Sequence, residues 1–192
     1  MPELINASLE QNRELLNKYQ TVRYWCQDES RFGLKTVSRR KITAKGIKPR
    51  GIEQWKFLYR WLYGVVEPST ESFFWEFTHL NSICFEIFLE LFSAHPNELH
   101  LIQLDNGGLH RALSLNIAEN IILLFQPSYS PQVNLIERLW QFLKENFKWI
   151  NYESVEELQE DITKYLNKLN ASTIAKITGW KFITDALCVA NI

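Results

Sequence analysis

The stretch TVRYWCQDE (21–29) decides the architecture. Val22, Tyr24 and Cys26 alternate with Arg23, Trp25 and Gln27, the period of a strand, and the run ends on the acidic pair Asp28-Glu29. Upstream, residues 3–18 read as one amphipathic helix with Leu4, Leu9, Leu15 and Leu16 as its apolar positions. Downstream, Gly46, Pro49 and Gly51 break residues 31–54 into a long loop, with a short strand near 34–38. KFLYRWLYGVV (56–66) and ESFFWEF (71–77), joined by Glu67-Pro68-Ser69-Thr70, suit an antiparallel hairpin. SICFEIFLELFSAH (82–95) predicts a helix with Ile83, Ile87 and Leu91 turned inward. LHLIQLD (99–105) is a buried strand ending on Asp105. After the Gly107-Gly108 turn come a short helix near 109–118 and a strand at 121–125. Ser130 then caps a helix that starts at Pro131 and runs to about Lys148, burying Val133, Ile136, Leu139, Trp140, Leu143 and Phe147. Helical residues 153–169 and 172–188 close the chain.

This order predicts an α/β fold, a mixed five-stranded sheet flanked by helices. The first strand lies centrally, between the hairpin and the 99–105 strand. Asp28 and Asp105 then end neighbouring strands at one edge, where open sheets tend to place ligands.

A chain of 192 residues with 46% hydrophobic and 22% charged side chains is long and apolar enough for one real core. Nothing resembles a membrane span or an apolar signal segment, so a cytoplasmic location is expected. Cys26, Cys84 and Cys188 are odd in number, sit in apolar contexts and read as reduced core residues. The net charge of −1 says nothing in favour of nucleic acid, but its distribution does. Between Arg31 and Arg60 stand ten basic residues and a single acid, Glu53. That is a local electrostatic footprint, or simply a solvated loop.

Taken singly, Asp28 and Asp105 could be turn residues, and Glu137 a favourable charge in the first turn of a helix. Together they make a stronger case. Converging carboxylates repel one another and persist mainly where a cation neutralises them. Oxygen-only donors suit Mg²⁺ or Mn²⁺ rather than zinc. Two such ions, about 3.5–4 Å apart, would activate a water or a 3′-hydroxyl and stabilise the leaving oxygen of a phosphodiester.

Three blocks, WCQDESRFG (25–33), IQLDNGGLH (102–110) and FQPSYSPQVNLIERLWQFLK (125–144), resemble the catalytic blocks of the DDE transposase superfamily, in particular the mariner-related transposases of bacterial insertion sequences. The resemblance runs from about residue 20 to the C-terminus and keeps the family's order. It implies a ribonuclease H-like fold with Asp28, Asp105 and Glu137 as catalytic metal ligands, and Asn106, His110 and Asn134 lining the site. It also implies nicking at transposon ends followed by attack of the freed 3′-hydroxyl on target DNA, by a homodimer. The basic loop, with Arg39, Arg40, Lys41, Lys45, Lys48 and Arg50, is then the segment that meets DNA or the partner subunit. Trp55 and Trp61 are either stacking platforms or core.

Two departures accompany the resemblance. The family's Pro-Glu-Leu-Asn-Pro before Ile-Glu reads Pro131-Gln132-Val133-Asn134-Leu135 here, so a rigid proline is missing just before Glu137. Residues 1–20 read as an N-terminal linker helix and 21–192 as the catalytic domain, with no room for a helix-turn-helix DNA-binding domain. A separate helix-turn-helix chain would then supply end recognition, or the chain is a non-catalytic fragment that binds DNA or a full-length transposase. A ribonuclease H-like nuclease acting on RNA–DNA hybrids or junctions is a third reading, separable by substrate.

Overall fold

The central strand is longer than its apolar alternation suggests. In the computed structural model, which describes residues 2–38, 40, 42–68, 70–93, 97–111, 115–127 and 130–189, β1 spans Thr21–Gly33. It does not end at Asp28. Its first half pairs in parallel with β4 (Glu98–Leu104), and from Cys26 to Gly33 it pairs antiparallel with β2 (Tyr59–Val66). The partner changes while the strand continues, because Ser30 and Phe32 keep filling the core side where the sequence turns polar and basic. β3 (Ser72–Phe77) completes the hairpin, and β5 (Ile121–Phe125) pairs in parallel with β4. The order β3-β2-β1-β4-β5 is the mixed sheet expected, with β1 in the middle.

Each face of the sheet has its own core. Tyr24, Cys26, Phe32, Leu62 and Leu101 pack under α4 (Ile136–Asn146), α5 (Val155–Leu166), α6 (Ala171–Thr178) and α7 (Lys181–Val189). Ile5 of α1 (Pro2–Gln11) is fully buried in the same cluster. On the other face, Trp25, Tyr63, Val65 and Ile102 pack against α3 (Ser82–Phe92). The indole of Trp25 meets Phe92 edge-on at 4.8 Å, so aromatic rings dominate this layer. At the start of β1, Arg23 ties the hairpin turn to β4 through Glu67 (2.5 Å), Glu71 (3.0 Å) and Glu98 (3.4 Å).

Several local expectations change. α3 buries Phe85, Phe88, Leu89 and Phe92, while Ile83, Ile87 and Leu91 face solvent. Its sequence is apolar nearly all round, so periodicity could not choose a face; the flat rings fit the aromatic sheet and won. The N-terminal helix breaks at Asn12 before α2 (Arg13–Lys18), and residues 172–188 break at Gly179 between α6 and α7. Pro131–Val133 form a 3-10 turn, and α4 starts only at Ile136. Where a short helix was expected at 109–118, the described residues form a turn and irregular chain; 112–114 lie outside them. Of the three cysteines only Cys26 is buried, and Cys188 is exposed. None of the described helices is long and apolar enough to cross a membrane.

Residues 34–58 form an arm whose base is stitched to the chain that follows α4. Val37 bridges Lys148, and the Trp149 amide donates to the Val37 carbonyl at 3.2 Å. Gln54 Nε2 reaches the Tyr152 carbonyl at 2.8 Å, and Lys56 Nζ the Glu153 carbonyl at 3.0 Å. No strand forms at 34–38 beyond that isolated bridge.

Candidate active site

Cys26 faces Gln103 across the parallel pair. Asp28 and Asp105 each follow that last parallel pair by two residues, so both segments carry an acid just past the point where the pairing ends. Asp105 directly follows the last residue of β4, and Asp28 sits in β1 where that partner stops.

Asp28 lies on the face covered by α4. Its Oδ2 accepts a hydrogen bond from Trp140 Nε1 at 2.9 Å. The residue paired with Asp28 on β2 is Gly64. A Cβ there would stand 2.8 Å from ring atoms of both Trp140 and Phe74, so only glycine lets the indole lie over the strand and reach the carboxylate. Burial, then the negative charges of Glu29 and Glu137, push the Asp28 carboxyl up to about 8; the Glu29 backbone and the Trp140 indole act in the opposite sense. Glu137, exposed in the first turn of α4, is thus close enough for Asp28 to sense its charge.

Asp105 is half-exposed and held differently. Its Oδ1 accepts from the Gly107 amide at 2.7 Å and lies 2.8 Å from His110 Nδ1. Gly107 has no room for a side chain: a Cβ would come within 2.9 Å of that same oxygen. The other ring nitrogen, His110 Nε2, is 3.1 Å from Glu29 Oε1, which also accepts from Gln27 Nε2 at 2.8 Å. An imidazole between two carboxylates donates from both nitrogens only as the cation. Burial opposes that charge, but the hydrogen bond and charge of Glu29, with Asp105, outweigh it and raise the His110 pKa.

Glu29 was legible only as the second half of an acidic pair. Strand alternation sends it to the face opposite Asp28, and its partner His110 lies 81 residues away. Asn106 and Asn134 act as struts. Asn106 Nδ2 donates to the Gln126 carbonyl at 2.6 Å, and its Oδ1 accepts from Arg111. The buried Asn134 Nδ2 donates to the Gln27 carbonyl at 2.8 Å and fixes the start of α4 against β1.

Among the described residues no three His, Cys, Asp or Glu side chains stand close enough together to hold a metal ion. The donor chemistry nevertheless suits one: carboxylate oxygens alone, with the Asp28 carboxyl pushed up by burial and then by neighbouring negative charge. Arg40, Lys45, Lys48 and Arg50 are exposed on the arm; Arg39 and Lys41 lie outside the described residues. Trp55 is 64% exposed on the arm, whereas Trp61 is half-buried in β2.

The chain is similar to several known proteins. A protein of Sinorhizobium fredii (strain NBRC 101917 / NGR234), "Uncharacterized protein y4pE/y4sA", is 33% identical over 60 residues, 31% of this chain and 43% of its own length. The Mos1 transposase paired-end complex with left transposon end superposes with a TM-score of 0.67 at 12% identity, covering 99% of this chain and 61% of that one. The catalytic domain of Mos1 mariner transposase matches at 0.62 and 11% identity, covering 99% of this chain and 90% of that domain. Mos1 paired-end complexes with Mn and with Mg each match at 0.63. The fold is therefore the ribonuclease H-like fold of that catalytic domain, and the chain spans about three fifths of the Mos1 chain in the paired-end complex. The sequence model of the DDE superfamily endonucleases matches residues 23–159, most of the chain and all three carboxylates, and the protein belongs to that family.

Proposed function

We propose that the chain is the catalytic domain of a DNA transposase, cutting DNA at transposon ends and joining the freed 3′-hydroxyl to target DNA. The observation that supports this reading is the register of β1 and β4, whose last pair, Cys26 and Gln103, stands two residues before Asp28 and Asp105, together with the influence of the Glu137 charge on Asp28.

Asp28, Asp105 and Glu137 would hold the divalent ions, Mg²⁺ or Mn²⁺; two ions are expected. When bound, they supply Lewis-acid activation of the attacking oxygen and neutralise the leaving one. The chain's own groups do the positioning. The Trp140 indole fixes one Asp28 oxygen. His110 and the Gly107 amide engage Oδ1 of Asp105, so Oδ2 is the oxygen that would hold an ion. The exposed cations of the arm, Arg40, Lys45, Lys48 and Arg50, would meet phosphates without regard to sequence, and their contribution would weaken as salt rises. Arg39 and Lys41 would join them. DNA is thus the partner, bound by a homodimer. End recognition would come from helix-turn-helix modules, which a separate chain could carry.

The test is cleavage and joining of labelled transposon-end DNA in Mg²⁺, with any helix-turn-helix partner present. Asp105→Asn should abolish both steps. Cleavage that survives this substitution unchanged contradicts the mechanism.

A further inference from the structure

Two hollows lie end to end along α4 and share Lys144. The first is an open groove of about 610 Å³ that includes Glu137 and Trp140, the residues at the carboxylate site. The second is a more enclosed cavity of about 340 Å³ at the base of the arm. Every charged side chain lining this second cavity is basic: Arg31, Lys35, Lys56 and Lys144. Its volume falls within the range of small-ligand sites, at roughly 300–1,000 Å³.

Its rings are presented in an unusual way. Phe57 and Tyr59 line it while remaining 67% and 42% exposed, beside the buried Phe32, Phe147 and Tyr152. The cations lie over such rings rather than against acids in the lining. The Arg31 guanidinium is 5.2 Å from the Tyr59 ring centre, Lys35 Nζ 5.8 Å from that of Phe57, and Lys144 Nζ 5.6 Å from that of Phe32. Exposed aromatic faces in a lining whose charged side chains are all basic are the combination that takes a base and its phosphate together.

Position gives the occupant. Phe32 stands four residues beyond Asp28 on the same face of β1, about 13 Å along the strand. Lys144 stands seven residues beyond Glu137 on α4, about 10 Å. At about 3.4 Å per nucleotide along a strand, this is roughly three to four nucleotides. We propose that the cavity receives an unpaired nucleobase of the strand whose phosphodiester lies at the carboxylates, stacked on Phe57 and Tyr59 with its phosphate met by Arg31, Lys35 and Lys56. Bases inside an intact duplex are already stacked and cannot enter, so the cavity distinguishes a frayed or recessed end from continuous DNA. This deepens, and rests on, the reading of the chain as a DNA-cutting domain.

The experiment uses the whole chain in chelator, so that nothing is cut. The probes are a blunt duplex, the same duplex with a four-nucleotide single-stranded extension carrying 2-aminopurine at its third or fourth position, and that extension with an abasic site in place of the base. The extended duplex should bind about 10-fold more tightly than the blunt one, with quenched 2-aminopurine fluorescence. The abasic extension should lose most of that gain. Tyr59→Ala and Phe57→Ala should remove the preference while leaving blunt-duplex affinity within about 2-fold, and Tyr59→Phe should restore it. Equal affinity for blunt and extended duplex overturns the cavity's assignment and leaves the DNA reading standing. So does equal affinity for the abasic and normal extensions, which would mean phosphate contact alone. Binding to none of the probes overturns the DNA reading itself, and the proposal with it.

Discussion

Asp28 and Asp105 each stand two residues past the last parallel pair of β1 and β4, yet their surroundings are opposites. Asp28 lies beneath an indole, among negative charges, with its carboxyl pushed up to about 8. Asp105 is half-exposed at a strand end and is bound to a histidine whose pKa is raised. One carboxylate is destabilised until something positive arrives; the other already lies against an imidazole whose protonation is favoured. A site that must take a dication and release it after the reaction can be built from such a pair: one ligand is held in place, and the other gains most from the ion.

This contrast is open to direct attack. Each of Asp28→Asn and Asp105→Asn should lower DNA cleavage by more than about 1,000-fold, equivalent to some 4 kcal/mol of barrier. Their effects on the metal-free fold should diverge. Asp28→Asn removes a carboxyl that the metal-free fold keeps only by holding its proton, and should stabilise the chain by about 1–3 kcal/mol at neutral pH, whereas Asp105→Asn should be neutral or slightly destabilising. Thermal melts in chelator check this, and equal shifts for the two variants would erase the contrast.

On the Asp105 side, Glu29→Gln tests the support behind His110. Removing the Glu29 charge leaves a buried imidazole with one anionic partner, and Asp105 less firmly held. A 10–100-fold loss of divalent-ion affinity is expected, measured by calorimetric titration. Glu29→Asp should recover part of it, and full affinity in Glu29→Gln would make the relay merely structural.

On the Asp28 side, pH is the probe. Between about pH 4 and pH 8 the unfolded chain has released the Asp28 proton while the folded chain keeps it. The folded state then binds more protons, so the metal-free fold loses stability from Asp28 as pH rises through that window, and loses no more above about 8. His110, with its raised pKa, also favours the fold at low pH and loses that effect as pH rises through its folded value. Urea melts of wild type and Asp28→Asn at pH 5, 7 and 9 separate the two: only the histidine's share should remain in the variant. The smallest expected effect is that of Gly64→Ala. It must displace both Trp140 and Phe74, at a cost of about 1–3 kcal/mol, and should lower cleavage without touching a ligand.

The contrast also marks where sequence reasoning reaches its limit. Strand order could be read, because it follows from apolar runs; the expectation that Asp28 ends its strand could not hold, since β1 continues through it. The extension of β1 to Gly33 could not be read, since SRFG carries a strand's geometry on a basic, polar surface. Nor could the buried face of α3, where two apolar stripes competed and ring shape decided. The Glu29–His110–Asp105 chain, the glycine opposite Asp28 and the anchoring of the arm to residues 148–153 all join segments distant in sequence. They depend on how the sheet faces pack, which local periodicity does not encode.

Binding of Mn²⁺ to the whole chain, followed by electron paramagnetic resonance in wild type and in Asp28→Asn, Asp105→Asn and Glu137→Gln, probes the three acids together. Saturable binding that weakens at least 10-fold in every variant, with each still folded, is the expected result. Binding equally tight in all four proteins would show that these side chains do not form one metal site.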